Sequence, residues 1–337
     1  MSTPSSEGTP SGECIPSSES LGSSDTTTTS YESQDDRLDP GLSAIMSERR
    51  QLINVAYRLL GSLADAEDVV QETYARWYAM SRQQRDEIVS PGGWLTRVAS
   101  RVCLDLLGSA RARRESYVGQ WLPEPVPDHR EWADARSGGR AADPADRVTL
   151  DESVNMAFLV VLESMTPAER VAFILHDVFR YSFAEVSEIV GRTPAACRQL
   201  ASSARRRIRA SDAPAPTPAA QRAALVRSFK EAWEAKDISA LIGLLDPDAV
   251  GVADGGGLVS AVPLTVGSEH VAHQLVMIIN RVPDLTILER TVNGEPGLVI
   301  EHEGAVASVV AFDFAGDRIR RFWSVRNPEK LRPWTTG

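Results

Sequence analysis

The segment 181–209 places two short helices on either side of a tight turn, and this spacing constrains the fold more than any other feature of the sequence. Ser182, followed three residues later by Glu185, forms a capping box that begins the first helix. Gly191 allows the left-handed conformation that ends a helix, and Thr193, followed by a proline, caps the next one. Two helices joined by a short glycine turn form a helix-turn-helix, whose second helix enters the DNA major groove.

The second helix carries the strongest local positive charge. Residues 192–209 contain six arginines and no acidic residue, although the chain has a formal net charge of −10. Such a patch neutralises DNA phosphates and releases counterions. A solvated basic helix is the alternative interpretation, but the two caps and the glycine turn favour DNA binding. We expect Arg198 and Gln199 to contact base edges, because arginine pairs with guanine and glutamine with adenine.

The neighbours of Arg198 and Gln199 are expected to contact the DNA backbone or to permit close approach to the groove. The full set predicted to face DNA is Thr193, Pro194, Ala195, Ala196, Arg198, Gln199, Ser202, Arg205 and Arg206.

Composition excludes several classes of protein. No apolar run reaches the roughly 18 residues that span a membrane, and the N-terminus lacks the features of a secretory signal. The three cysteines, Cys14, Cys103 and Cys197, are far apart and odd in number, so neither a disulfide framework nor a zinc site is predicted. We therefore expect a cytoplasmic protein with no membrane partner, no cofactor and no bound metal.

Shifts in composition divide the chain into six parts. The N-terminal part is acidic and poor in large apolar residues, which predicts disorder. A proline-rich segment between the two helical units is expected to be flexible from 117 to 145, and the string APAPTP predicts a stiff linker. The predicted parts are a tail at 1–40, a helical unit at 41–115, a linker at 116–145, a helix-turn-helix unit at 146–211, a Pro/Ala linker at 212–218 and a third folded unit at 219–337.

Apolar residues recur at helical spacing through the first helical unit. Gly61 is expected to end its first helix, and Asp65 to cap the second, which would run from 66 to about 80. Ser90 and the following proline are expected to begin a third helix that Gly108 ends.

Two strings in this unit resemble region 2 of the extracytoplasmic-function (ECF) sigma factors: AYRLLGSLADAEDVVQETYARW at 56–77 and GGWLTRVASRVCLDLLGSARARRE at 92–115. Residues 166–209 resemble region 4 of the same family. In that family region 2 binds the β′ clamp of RNA polymerase and opens the −10 promoter element, and region 4 reads the −35 element. The resemblance therefore implies a sigma factor with polymerase core and promoter DNA as its partners.

The resemblance assigns roles to individual residues according to their positions in the matching motifs. An acidic helix face would bind the polymerase, although capping and solvation also account for such residues. Near the −10 element, aromatic and arginine groups would stack on unpaired bases, with core packing as the alternative for Trp94. The residues expected to bind polymerase are Asp65, Glu67, Asp68, Gln71 and Glu72. Those expected near the −10 element are Trp94, Thr96, Arg97 and Arg101. The DNA-facing residues of the helix-turn-helix are assigned to the −35 element.

The sequence of the third unit predicts helices followed by strands. Leu225, Phe229 and Trp233 lie on one helix face, and a short helix is expected at 238–245. Strands are expected at 249–253, 258–264, 285–292, 298–302, 305–314 and 318–325, with a helix at 268–280. Helices packed on a curved antiparallel sheet form an α+β domain. The unit resembles the SnoaL-like branch of the cone fold, an extension that marks a distinct ECF group.

Three strings match this group: WLPEP at 121–125, DGGG at 254–257 and NPEKL at 327–331. Leu258 stands where the group has a lysine after DGGG. In that group the extension modulates activity by contacting the sigma regions, so the resemblance implies regulation through an intramolecular contact. The residues expected to carry it are Asp254, Gly255, Gly256, Gly257, Asn327 and Pro328.

Two other functions stay open. Some cone folds are enzymes with an Asp or His base, so the chain could be a SnoaL-like isomerase, cyclase or ligand sensor fused to a DNA-binding module. Its titratable candidates are Asp254, His270, His273 and Asp313. A plain DNA-binding repressor would leave residues 56–115 without a purpose. A non-enzymatic sigma factor, with no catalytic residue, is favoured because both helical units carry coherent motifs.

Overall fold

The structure is a computed structural model that describes residues 40–115, 117–128, 154–211, 217–261 and 264–335. The expected disordered tail, most of the first linker and most of the Pro/Ala linker lie outside these residues. The described chain combines a helical half with an α+β half, which agrees with the predicted fold class.

The first helical unit has four helices. They are α1 (Pro40–Leu60), α2 (Leu63–Ala79), α3 (Arg82–Asp86) and α4 (Pro91–Glu115). Gly61 ends α1 with a φ of +69°, as predicted. The prediction that Asp65 caps α2 is wrong, because the Ser62 side chain accepts a hydrogen bond from the Asp65 backbone N–H and is itself the cap. Asp65 lies in the first turn instead.

Helix α4 continues through Gly108, so the predicted end at this residue is wrong. Every fourth residue on one face is buried, namely Leu95, Ala99, Cys103 and Leu107. Burial of this stripe outweighs the roughly 1 kcal/mol that a glycine costs inside a helix.

The second helical unit contains the predicted helix-turn-helix. Its elements are α5 (Met156–Glu163), α6 (Pro167–Phe173), a π-helical turn (Ile174–Val178), α7 (Phe183–Val190) and α8 (Pro194–Ser211). The Ser182–Glu185 capping box is formed in both directions, and Gly191 ends α7 in the left-handed conformation. The π-helical turn was not predicted. Both helical units share one hydrophobic core.

The third unit packs helices on a six-stranded sheet. Its elements are α9 (Ala219–Glu234), α10 (Ile238–Leu244), β1 (Leu245–Asp254), β2 (Thr265–Val266), α11 (Ser268–Arg281), β3 (Leu285–Val292), β4 (Glu295–His302), β5 (Ala305–Ala315), β6 (Arg318–Val325) and α12 (Arg332–Thr335). The strand order is β2-β1-β6-β5-β4-β3. Strand β1 runs parallel to β6, so the predicted all-antiparallel sheet is in fact mixed.

The strand predicted at 258–264 is wrong. Residues 256–258 form a turn, and among the described residues from 255 to 266 only Thr265 and Val266 pair with β1. Gly256 and Gly257 both have positive φ, which interrupts an extended chain.

Both faces of the sheet are buried. On β5, Val310 and Phe312 face the helices of the third unit, whereas Val309 and Ala311 lie in a second core on the opposite face. That second core includes Leu122 from the first linker, together with residues of α5 and α12. The sheet therefore joins the third unit to the rest of the chain.

The expected flexibility of the first linker is wrong for residues 121–127. Leu122 and Val126 are buried, and Pro127 forms an isolated bridge with Val292 of β3. On the other side, the Glu124 backbone N–H donates to the Gly61 carbonyl at 2.8 Å. The linker is thus packed between α1 and the sheet.

We predict that Gly61→Ala destabilises the protein more than Gly191→Ala, although both glycines have a φ of +69°. Each substitution costs about 1–2 kcal/mol of backbone strain. A Cβ at Gly61 would also lie 2.9 Å from the Trp121 ring, whereas one at Gly191 meets nothing within 4 Å. We expect a further 1–3 kcal/mol at Gly61, on the order of other overpacking changes, measured as the shift in urea midpoint. Equal shifts would contradict the close packing of Trp121.

Candidate nucleic-acid interface and interdomain contact

Helix α8 separates its buried and exposed residues cleanly. Cys197, Ala201 and Ala204 are fully buried against the helical core. Arg198 and Gln199 are exposed on the opposite side of the helix, as are most of the other residues predicted to face DNA. The face available to DNA is therefore the one that carries these side chains, and their role in base reading stays a prediction.

Several polar residues of α8 are already engaged within the protein. Arg205 makes two hydrogen bonds to Asp177, at 2.7 and 3.2 Å, and Ser203 donates to Glu169 at 2.6 Å. The Thr193 hydroxyl accepts from the Ala196 backbone N–H as the helix cap. Arg205 is thus held by a carboxylate, which makes it a weaker candidate for DNA contact than the exposed Arg206.

The predicted polymerase-binding residues line up on α2. Glu67, Asp68, Gln71 and Glu72 are exposed, whereas Asp65 is half-buried in the first turn. Glu72 forms a surface ion pair with Arg76 at 2.8 Å. The exposed side of α2 is acidic and open to a partner, and its binding role stays a prediction.

The four residues predicted near the −10 element do not share one surface. Arg101 is exposed, and Trp94 is half-buried against Trp77 with ring centroids 5.3 Å apart. Arg97 forms an ion pair with Glu188 of α7 at 3.0 Å. Thr96 is fully buried in this arrangement, and its role near the −10 element stays a prediction.

A buried carboxylate connects the third unit to the first linker. Asp254, at the end of β1, is fully buried. It accepts hydrogen bonds from the Tyr117 hydroxyl at 2.6 Å, the Leu122 backbone N–H at 2.9 Å and the Lys330 ammonium at 2.7 Å. Together with Asn293, Asn327 and Trp334, these residues form what we term the linker interface.

Lys330 is held on several sides. Its ammonium lies 4.1 Å from the Trp121 ring centroid and 5.2 Å from that of Tyr117, besides its ion pair with Asp254. It also donates to the Leu122 carbonyl. A cation so enclosed neutralises the buried carboxylate and stacks on the linker aromatics.

Asn293 forms a second junction. Its side-chain oxygen accepts from the Val126 backbone N–H at 3.1 Å, and its amide donates to the Tyr57 hydroxyl at 2.8 Å and to the Val154 carbonyl at 3.1 Å. The Tyr57 hydroxyl donates in turn to the Glu124 carbonyl at 2.7 Å. One amide of the β3–β4 turn therefore contacts α1, the linker and the start of the second helical unit.

The DGGG string makes its turn through close contacts. A Cβ at Gly256 would lie 2.5 Å from the Asn327 side chain, and one at Gly257 would lie 2.8 Å from Val118. A Cβ at Gly255 would lie 2.0 Å from a backbone carbonyl. Pro328 is exposed and starts the turn after Asn327. The three strings that the sequence separates, at 121–125, 254–257 and 327–331, thus meet at the linker interface.

Sequence reasoning missed several residues of this interface. Lys330 lies inside the NPEKL string but was not assigned a role, and Asn293 was not among the predicted site residues. Tyr117 lay in the segment expected to be flexible. Leu258, which replaces the lysine after DGGG, is exposed and takes no part.

The candidate catalytic residues do not form a site. The carboxylate of Asp254 is engaged by the linker, and Asp313 pairs with Arg320 at 2.6 Å. His273 interacts with the Glu269 carbonyl at 2.7 Å on an open surface beside His270. Within the described ranges, no group of three or more His, Cys, Asp or Glu residues could hold a metal. None of these four candidates lines the cavity enclosed by the third unit.

Comparison with known proteins identifies the family of this chain. Residues 44–113 match Sigma-70 region 2, and residues 155–208 match Sigma-70, region 4. The ECF RNA polymerase sigma factor SigJ of Mycobacterium tuberculosis is 37% identical over 298 residues, which cover 84% of this chain and 90% of SigJ. The chain belongs to the ECF RNA polymerase sigma factor family. The predicted family membership is therefore confirmed.

Two further similarities extend along most of this sigma factor. The probable ECF sigma factor SigI of Mycobacterium tuberculosis is 34% identical, and the match covers 88% of this chain and 96% of SigI. The crystal structure of Mycobacterium tuberculosis SigJ aligns with a TM-score of 0.68 at 34% identity, covering 87% of this chain and 98% of that one. The match includes the C-terminal extension, so the predicted α+β unit is confirmed. In the part of the chain that is described, no helix is long and apolar enough to cross a membrane.

Glu124 links the interface to α2. Its carboxylate accepts from the Leu63 backbone N–H at 2.8 Å, at the N-terminus of the helix predicted to bind polymerase. Burial raises the pKa of the Glu124 carboxyl to about 7, although hydrogen bonds from the start of α2 oppose the shift. The linker thus places a titratable group against the first turn of α2.

We predict that this group makes stability depend on pH. The pKa of Glu124 is about 7 when folded, against an ordinary value of 4.5. Between these values the unfolded chain loses the proton and the folded chain keeps it, so stability falls as pH rises. Relative to Glu124→Gln, the wild type should lose about 2–3 kcal/mol between pH 5 and pH 7.5 in urea titrations.

Glu67→Gln, on the exposed face of α2, controls for the loss of one carboxylate. A constant difference between wild type and Glu124→Gln across this pH range would contradict the prediction.

Proposed function

We propose that this sigma factor binds core polymerase through the acidic face of α2, contacts the −10 element through α4 and reads the −35 element with α8. We further propose that its C-terminal unit is non-enzymatic and restrains these activities in cis, in the cytoplasm where polymerase acts. The observation that carries the proposal is the linker interface, where residues 121–127 are bonded to α1 on one side and to the sheet on the other.

The two sigma regions are packed together in a way that supports restraint. The buried Arg170 of α6 donates to the Leu59 carbonyl of α1 at 2.8 Å, and Arg97 of α4 pairs with Glu188 of α7. The bases proposed to contact Arg97 of α4 belong to the −10 element, and those that α8 is proposed to read belong to the −35 element. Because the two elements are separate on the DNA, binding both requires the two helical units to move apart. The packed arrangement is therefore a resting state.

Helix α4 carries a further sign of a covered surface. The hydroxyls of Thr96 and Ser100 are buried, and neither has a hydrogen-bond partner among the described residues. Each such group costs about 1–3 kcal/mol. Helix α4 contacts α6 and α7. Movement of the second unit would expose part of α4 to water or to nucleic acid, and any of these hydroxyls that it freed would lower the cost of opening.

We predict that Lys330→Met weakens the restraint. It leaves the carboxylate of Asp254 buried without its cation, which costs about 3–5 kcal/mol. Run-off transcription with core polymerase should therefore yield several-fold more transcript than the wild type. Lys230→Met is the matched control, because Lys230 pairs with Glu234 in a surface i,i+4 pair worth under about 1 kcal/mol.

Glu188→Gln provides a second test if Lys330→Met fails to fold. It removes only the exposed pair with Arg97 and should also raise transcription. Unchanged or reduced yield from folded Lys330→Met would contradict restraint by the C-terminal unit, and the same result from Glu188→Gln would contradict restraint by the packing of the two sigma regions. Either result leaves sigma activity itself in place.

We predict that Arg198→Ala lowers promoter affinity by about 1–3 kcal/mol and relaxes the preference at one −35 base pair. Arg198 is exposed, and its one ring contact among the described residues is with Phe183 at 5.6 Å, so the melting temperature should fall only slightly. Arg205→Ala is the contrast, because Arg205 is held by Asp177 and its loss should reduce stability more than DNA binding. Filter binding of holoenzyme to promoters altered at single −35 positions measures the effect. Equal losses on all promoters would show a phosphate contact instead.

A further inference from the structure

The third unit encloses a cavity that no function above uses. Its volume is about 150 Å³, and its walls are mostly apolar, with Phe229, Trp233, Leu275 and Phe322 among them. Apolar cavities of about this size hold a single aromatic ring in other proteins. The cavity lies on the helix-covered side of the sheet, whereas the linker interface lies on the other side.

The two basic side chains of the cavity lining lie near the C-terminal ends of strands. Strands β1, β4 and β6 run in the same direction, so their C-terminal ends lie at the same edge. His302 ends β4, and Arg326 directly follows β6, and both line the cavity. A ligand would therefore place its apolar body inside and a polar group at this edge.

The charges of the lining favour an anion. Among the described lining residues, Arg326 is the single arginine or lysine, and none is acidic. Arg326 is half-buried and donates to the Ser260 carbonyl, and no ion pair joins it to a carboxylate of the described chain. Burial lowers the pKa of its guanidinium, as expected for a cation short of counter-charge. A carboxylate ligand would supply that charge with two parallel hydrogen bonds.

We propose that this cavity binds small apolar monocarboxylates, with the carboxylate on Arg326 and an aromatic or short aliphatic body among the rings. His302, whose side chain has no hydrogen-bond partner in the described part of the chain, also lines the cavity and offers a second donor.

Isothermal titration of the full chain with phenylacetate tests the site, with phenylacetamide as the uncharged match and octanoate as the aliphatic match. We expect a Kd of about 1 mM or below for phenylacetate, at least about tenfold tighter than for the amide. Absence of saturable binding by either acid up to about 20 mM would overturn the site. Equal affinity for acid and amide would overturn the role of Arg326.

Variants separate the charge from the cavity. Arg326→Gln should reduce phenylacetate affinity to that of the amide, and Arg326→Lys should restore part of the preference. Ala307→Phe fills the lining at the β5 bulge and should abolish binding of both compounds. Arg290→Gln is the matched control, because Arg290 also donates to a backbone carbonyl on the sheet but lies outside the cavity lining. Wild-type binding by Ala307→Phe would place the ligand elsewhere and overturn the proposal.

The cavity and the linker interface share two strand ends. Ala253 lines the cavity and precedes Asp254, and Arg326 lines it and precedes Asn327. The backbone N–H groups of Arg326 and Asn327 both donate to the Asp254 carbonyl, at 2.7 and 3.0 Å. A ligand on Arg326 therefore acts on residues one position away from the interface.

This coupling rests on the proposed restraint in cis, and run-off transcription separates the two. Phenylacetate should change the transcript yield of the wild type and of Arg290→Gln, but not that of Ala307→Phe. Binding without a change in yield would keep the site and overturn the coupling. A change that persists in Ala307→Phe would also overturn it, because the acid would then act outside the cavity. The transcript yield of Lys330→Met, measured without phenylacetate, tests the restraint itself.

Discussion

The buried carboxylate of Asp254 is the interaction on which the arrangement of this sigma factor depends. Removing a carboxylate from water costs several kcal/mol, and only a full set of donors offsets that cost. Its donors come from Tyr117 and Leu122 of the linker and from Lys330 near the C-terminus. The linker and the C-terminal unit therefore stabilise each other, and neither can leave without exposing or orphaning this charge.

The linker passes this constraint to the sigma regions. Glu124 contacts the first turn of α2, and the Tyr57 hydroxyl of α1 joins the linker to Asn293 of the sheet. The helix predicted to bind polymerase thus begins beside the residues that hold the C-terminal unit. Three hydrogen bonds, Asn293 to Tyr57, Tyr57 to Glu124 and Leu63 to Glu124, connect the interface to α2. They form a short path for the regulation in cis that we propose.

The sheet explains how one domain can both enclose a cavity and hold the linker. Alternate residues of β5 face opposite sides, so Val310 and Phe312 pack toward the helices while Val309 and Ala311 pack toward the linker. The run of apolar residues in this strand, without the polar alternation of a half-exposed sheet, was a signal of burial on both faces. Sequence reasoning assigned the strand but did not identify its second partner.

Local chemistry made much of this protein readable from the sequence. The caps at Ser182 and Gly191 involve residues three or four positions apart, and strands β3 and β6 were predicted to the residue because turns bound them. The arginine block on α8 and the strings shared with the family needed no tertiary contact to be recognised. These features determined the helix-turn-helix, the α+β extension and the family.

Packing between distant segments decided the rest. Gly108 stays helical because α4 buries a stripe of side chains, and β1 pairs in parallel with β6, a strand far from it in the sequence. Residues 121–127, which composition marks as flexible, are ordered because the sheet and α1 bury them on two sides. The Asp254–Lys330 pair spans 76 positions. No local pattern specifies such a pair, since its stability depends on the burial that the folded chain alone creates.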